Sequence, residues 1–152
     1  MKKRMALLAT VGVMAAIFFF SSQPAEASGA LSYSVEQTLH GTGAECLIPQ
    51  WFSPNSFANV RKWAHVYIFL ALGACMTCTV RGHRPAWSAR KQGLVSGIAC
   101  VLYAVSDEVH QYFVPGRAML AEDVLVDAIG VCLGVLVVFL IIFLWHCRKK
   151  QS

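Results

Sequence analysis

The sequence predicts an all-α integral membrane protein of about four transmembrane helices with both termini cytoplasmic. Three observations carry this prediction. The 152 residues are 57% hydrophobic and only 14% charged, and a mean hydropathy of +0.55 is too apolar for a soluble domain of this size. Four segments have the apolar length or near-length of a span: residues 5–20, 63–80, 93–109 and 124–145. The charges, finally, divide between the two ends of such a bundle. Lys2, Lys3, Arg4, Arg81, Arg84, Arg90, Lys91, Arg148, Lys149 and Lys150 fall on one side, the cytoplasmic one by the retention of basic loops. Arg61, Lys62, Arg117 and every acidic residue fall on the other. The net charge of +5 is then a topology signal, and nucleic-acid binding is not needed to explain it.

The first span, Met5 to Phe20, follows a basic start. With Ala25-Glu26-Ala27 behind it, it also fits a cleaved secretory signal, although the bulky run Ile17 to Phe20 so close to the site favours retention. The outer segment, residues 21–60, is long for a connection without structure of its own. Leu31, Val35 and Leu39 recur every four residues, which predicts a short helix over Leu31 to His40 lying apolar face down on the membrane and ended by Gly41-Thr42-Gly43. Pro54, Asn55 and Ser56 supply a break and a cap, so the second helix should begin near Phe57. Arg81 to Lys91 reads as a basic inner loop. The third span reaches full length only if its helix continues through Asp107 and Glu108. The whole chain, 1–152, reads as one domain.

Carboxylates between apolar segments are costly, so they point to a site. Three-residue spacing puts Lys62 and His65 on one helix face, and Gln111 lies one turn beyond Asp107 and Glu108. Val114-Pro115-Gly116-Arg117 fits a type II turn, with proline at the second position and glycine at the third. Asp123 and Asp127 share a face at the start of the last helix, where negative charge is favoured. Lys62 or Arg117 paired with Asp107, Glu108 or Asp123 is the expected relief, and His65, Glu108 and Arg117 should share one cavity.

These residues resemble a known family. Lys62-x-x-His65, Asp107-Glu108-x-x-Gln111-x-Phe113-x-Pro115-Gly116-Arg117, and Asp123-Val124 followed by Gly130 are similar to the signature of VanZ-like membrane proteins. Phe19 to Pro24 and Leu31-Ser32 resemble that family's start, which argues for a retained first span. Asp127 departs from the pattern, since asparagine is expected there. The resemblance implies a small multi-pass protein of the bacterial cytoplasmic membrane, in a family named for a member associated with resistance to teicoplanin-type glycopeptides.

Three readings of the cluster follow. In the first, the protein is not an enzyme: Lys62, Gln111, Arg117, Asp123 and Asp127 bind an envelope lipid, cell-wall precursor or lipoglycopeptide. In the second, it acts on a lipid head group, with His65 as general base and Asp107 or Glu108 orienting it or serving as acid. In the third, the charges only hold the helices in register. No cofactor is implied. His65, Asp107, Glu108, His110 and Asp123 are all metal-competent, but their spacing matches no tight ligand motif and Lys62 and Arg117 would neutralise the acids without an ion. Cys75-x-x-Cys78 lies inside an apolar helix and reads as packing, not redox chemistry.

Overall fold

A computed structural model describes residues 2–151 as five α-helices with no β-strand among the described residues. They are α1 (Lys2–Ser21), α2 (Ala25–Leu39), α3 (Ser56–His83), α4 (Ala89–Gln111) and α5 (Ala121–Gln151), with a single 3-10 turn at Ala44–Leu47. Three of the helices are long and apolar enough to cross a membrane: Lys3–Ser21, Ala58–His83 and Ala121–Lys149. The expected third span, α4, has 23 residues and so reaches about 34 Å. Its average hydropathy is lower because it is two-faced. Gln92, Ser96, Asp107, Glu108 and Gln111 are buried against the other helices, while Leu94, Ile98, Leu102, Val105 and Val109 are exposed.

That inversion runs through the whole bundle. Thr10, Asn59, Thr77, Gln92, Ser96 and four carboxylates are inside, and Leu133, Leu136, Leu140, Ile141 and Phe143 are outside. A soluble protein cannot hold so much exposed apolar surface, whereas a lipid-facing one must. The inner polar groups link helices directly: the Thr10 and Thr79 hydroxyls are 2.9 Å apart, and the Tyr103 hydroxyl donates to the Met14 carbonyl at 2.7 Å. The bundle also holds a small apolar core of Ile17, Phe69, Leu72, Cys100, Ala104 and Val131.

The most extensive pairing is α3 with α5, and it depends on missing side chains. A Cβ on Gly130 or Gly134 would collide with the backbone of Val66 or Leu70, and one on Gly73 would lie 2.6 Å from the Val131 carbonyl oxygen. Small residues of this kind let membrane helices approach to backbone contact.

Several expected boundaries move. The expected amphipathic helix starts at Ala25, six residues before Leu31, because Pro24 presets the entry and Glu26 suits the first turn. Ala25-Glu26-Ala27 is therefore the opening turn of α2. His40 caps its end and the chain reverses through Gly41 and Gly43, both at positive φ. α3 begins at Ser56, with Asn55 Oδ1 accepting from the Ala58 amide at 3.4 Å. Its outer end holds the preceding segment: Asn59 Nδ2 and Trp63 Nε1 both donate to the Pro49 carbonyl, at 3.0 and 2.7 Å.

The α3–α4 connection is shorter than Arg81 to Lys91, since α3 runs to His83 and α4 starts at Ala89 behind the Ser88 cap. Buried Gln92 fastens it by donating to the Arg84 and Trp87 carbonyls at 3.1 and 3.0 Å. All six cysteines are free thiols, with Cys75 half-buried and Cys78 exposed on α3.

Candidate functional site

Helices α3, α4 and α5 and the turn before α5 bring the charged residues to the end of the bundle where α1 finishes. The α3 stripe Lys62–His65 faces α5 as the spacing requires. Lys62 Nζ lies 3.7 Å from Glu122 Oε2, and His65 Nδ1 lies 3.0 Å from Asp127 Oδ1. The first pair is solvent-accessible on the glutamate side; in the second the Asp127 side chain is fully buried. Asp127, one turn beyond Asp123, is thus the residue that orients His65.

α4 runs on through Asp107 and Glu108 to Gln111, as anticipated. Asp107 Oδ2 accepts from Ser21 Oγ at 2.7 Å and from Gln111 Nε2 at 3.1 Å. Glu108 turns away from both and accepts, through Oε2, from the Leu120 amide at 3.1 Å, just before α5 begins. An amide ahead of a helix has no intrahelical partner, so the carboxylate of one helix satisfies the entry of the next. Asp107, Glu108, Asp123 and Asp127 each keep one buried carboxylate oxygen without a hydrogen-bond partner.

Residues 114–117 form the expected turn, with the Arg117 amide donating to the Val114 carbonyl at 3.1 Å and Gly116 at φ 75°. The turn sends Arg117 to the end of α1. Its Nη1 donates to Gln111 Oε1 at 2.9 Å, Nε to the Gln23 carbonyl at 3.2 Å and Nη2 to the Phe20 carbonyl at 3.5 Å. Burial lowers the Arg117 pKa from its usual value and neighbouring Arg61 pushes it the same way, while Asp107, Glu108 and Asp123 oppose both.

The expected charge pairs are corrected here. Among the described residues neither Lys62 nor Arg117 forms a salt bridge with Asp107, Glu108 or Asp123. Lys62 meets the exposed Glu122 because both lie on the outer edge of the α3–α5 contact. Arg117 is carried to carbonyl acceptors at the α1 terminus, whose last carbonyls lack helical partners.

The shared cavity is corrected in one member. A cavity of about 420 Å³ between α1, α2 and α3 is lined by His65 and Arg117, joined by Arg61, Ser21 and Gln23. Glu108 is not on its wall. No acidic side chain is. Among the described residues no group of three His, Cys, Asp or Glu side chains is placed to hold a metal ion; His110 instead meets Ser22 Oγ at 3.1 Å and stacks on Phe18.

The family model for VanZ/LLP1 matches residues 6–144. The chain belongs to the VanZ/LLP1 family. No curated protein and no solved structure matches it. The matched stretch of this VanZ/LLP1 chain runs from the first turns of α1 to near the end of α5, so it contains every residue of the site.

Sequence reasoning selected Lys62, His65, Asp107, Glu108, Gln111, Arg117, Asp123 and Asp127, placed Arg61 beside them without a role, and missed Ser21 and Glu122 as site members. Arg61 carried a readable signal. Arg61, Ala64, His65, Ile68 and Phe69 recur at helical spacing and all line the cavity. Ser21 could be found only through its motif, because the Asp107 it binds is 86 residues away.

Proposed function

We propose that this VanZ/LLP1 protein lowers susceptibility to teicoplanin-type glycopeptides and lipoglycopeptides at the outer face of a bacterial cytoplasmic membrane. It binds an envelope lipid, cell-wall precursor or the drug there and so reduces drug access. The observation that carries the reading is Arg117: it faces a cavity without a carboxylate salt bridge among the described residues, and two of its five N–H donors remain unused after three hydrogen bonds. Orientation with both termini cytoplasmic, and α4 as a fourth crossing, are supported by the basic residues. Lys3 at the start of α1 lies against Gly82 at the end of α3, so the two basic segments share an end of the bundle.

The test is drug susceptibility of strains lacking the protein, or carrying Arg117→Ala, against a lipoglycopeptide. Higher susceptibility in both is expected, and unchanged susceptibility in both defeats the proposal.

A second reading, a membrane enzyme acting on a lipid head group, is favoured by one contact. His65 holds buried Asp127 through Nδ1 and also lines the cavity, the arrangement a histidine base needs. Asp107 and Glu108 do not take part in that contact; Asp127 supplies the orientation. Incubating the purified protein with labelled envelope lipids tests this reading, which fails if a broad panel is recovered unchanged.

A further inference from the structure

The cavity between α1, α2 and α3 has a polar end and an apolar end. Arg61 and Arg117 lie at the outer end with His65. The floor is Phe69 and Ile17, both core residues, and Ile68 and Leu31 form part of the walls. Arg61 precedes Phe69 by eight helical positions, so cation and floor are about 12 Å apart along α3. The volume, about 420 Å³, sits low in the ~300–1,000 Å³ range of ligand pockets, which suits one hydrocarbon chain better than two.

The cavity wall carries cations and no carboxylate, the acid beside Arg61 being Asp123 in an adjoining cleft. Among the described residues Arg61 makes neither a hydrogen bond nor a salt bridge, and the four buried carboxylates all lie off the cavity wall. Two guanidinium groups on the wall of one cavity are stabilised by an anion bound there, and their planar donors suit phosphate oxygens.

We infer that this cavity holds one acyl chain of an anionic membrane phospholipid, with its phosphate on Arg61 and Arg117. The inference rests on the binding reading above and specifies its ligand. Lys62, the cation the sequence suggested first, is not a member of this site because it is turned toward Glu122.

The test uses the full-length protein in detergent, with lyso-phosphatidylglycerol as probe and lyso-phosphatidylcholine of the same chain length as control, bound lipid being read by native mass spectrometry. The anionic lipid should be retained at least about ten-fold more strongly, the scale of one charge-assisted contact. Arg61→Gln should remove that preference. It leaves no protein hydrogen bond broken, so it separates binding from folding where Arg117→Gln does not. Ile68→Trp, which fills the cavity, should lower retention of both lipids, and Leu133→Trp on the exposed face of α5 should lower neither.

Equal retention of the two lipids by the wild type, or undiminished preference in Arg61→Gln, overturns the inference. So does undiminished retention in Ile68→Trp. Retention as expected beside unchanged drug susceptibility in a strain lacking the protein would defeat the resistance role and leave the lipid site standing.

Discussion

Nδ1 of His65 lies 3.0 Å from Oδ1 of Asp127, joining α3 to α5 across the bundle with the aspartate fully buried. A hydrogen bond to a buried charged group contributes about 1.5–3 kcal/mol. Asp127→Ala should therefore lower stability by that amount, whereas Asp127→Asn, which keeps an oxygen acceptor, should lose less than half as much. Thermal unfolding of the two variants in detergent checks the difference.

Gln111 and Arg117 should behave as one unit, since Gln111 accepts from Arg117 while donating to Asp107. A double-mutant cycle of Gln111→Ala and Arg117→Ala should give a coupling of about 0.5–3 kcal/mol. Additive losses would mean that the bridge contributes nothing.

Opposite outcomes are expected for a glycine in the α3–α5 contact and one on the open face of α4. Gly134→Ala places a methyl against the Leu70 and Ala74 backbone and should destabilise by at least the ~1–3 kcal/mol of an overpacked core. Gly97→Ala, with nothing within 4 Å of its Cβ, should be neutral or stabilise by up to about 1 kcal/mol through helix propensity. Melting temperatures in one detergent compare them.

Topology can be read with thiols, because Cys46 and Cys147 are both exposed and lie at opposite ends of the proposed span arrangement. In single-cysteine variants of intact cells, a membrane-impermeant maleimide should label Cys46 and not Cys147. Labelling of Cys147 alone would reverse the orientation.

Much of the helical architecture was legible because lipid imposes long apolar runs, and because Asn55 and the Pro115-Gly116 pair are local signals whose chemistry does not depend on the fold. The start of α2 was less legible. Its apolar periodicity begins at Leu31, but Pro24 and Glu26 set the first turn earlier.

Within the site, residues one turn apart were readable: Lys62 with His65, and Asp107 with Gln111. Partners across helices were not, because which acid meets Lys62 depends on the rotation of α5 relative to α3. Glu122 and Asp123 are adjacent carboxylates, and the face each presents decides which meets Lys62. Likewise, the turn geometry was predictable while the destination of Arg117 was not, since it ends on carbonyls of Phe20 and Gln23, nearly a hundred residues earlier.

The glycine contacts have a consequence for motion. Where α3 and α5 touch backbone to backbone at Gly130 and Gly134, sliding of one past the other is blocked by the main chain itself. The α1–α2 junction is secured differently, by the Arg117 side chain and the bond from the Ala25 amide to the Pro115 carbonyl. If the proposed lipid occupies the cavity, the expected place for any reshaping is the α1–α2 half, with the glycine-seamed half as the fixed frame.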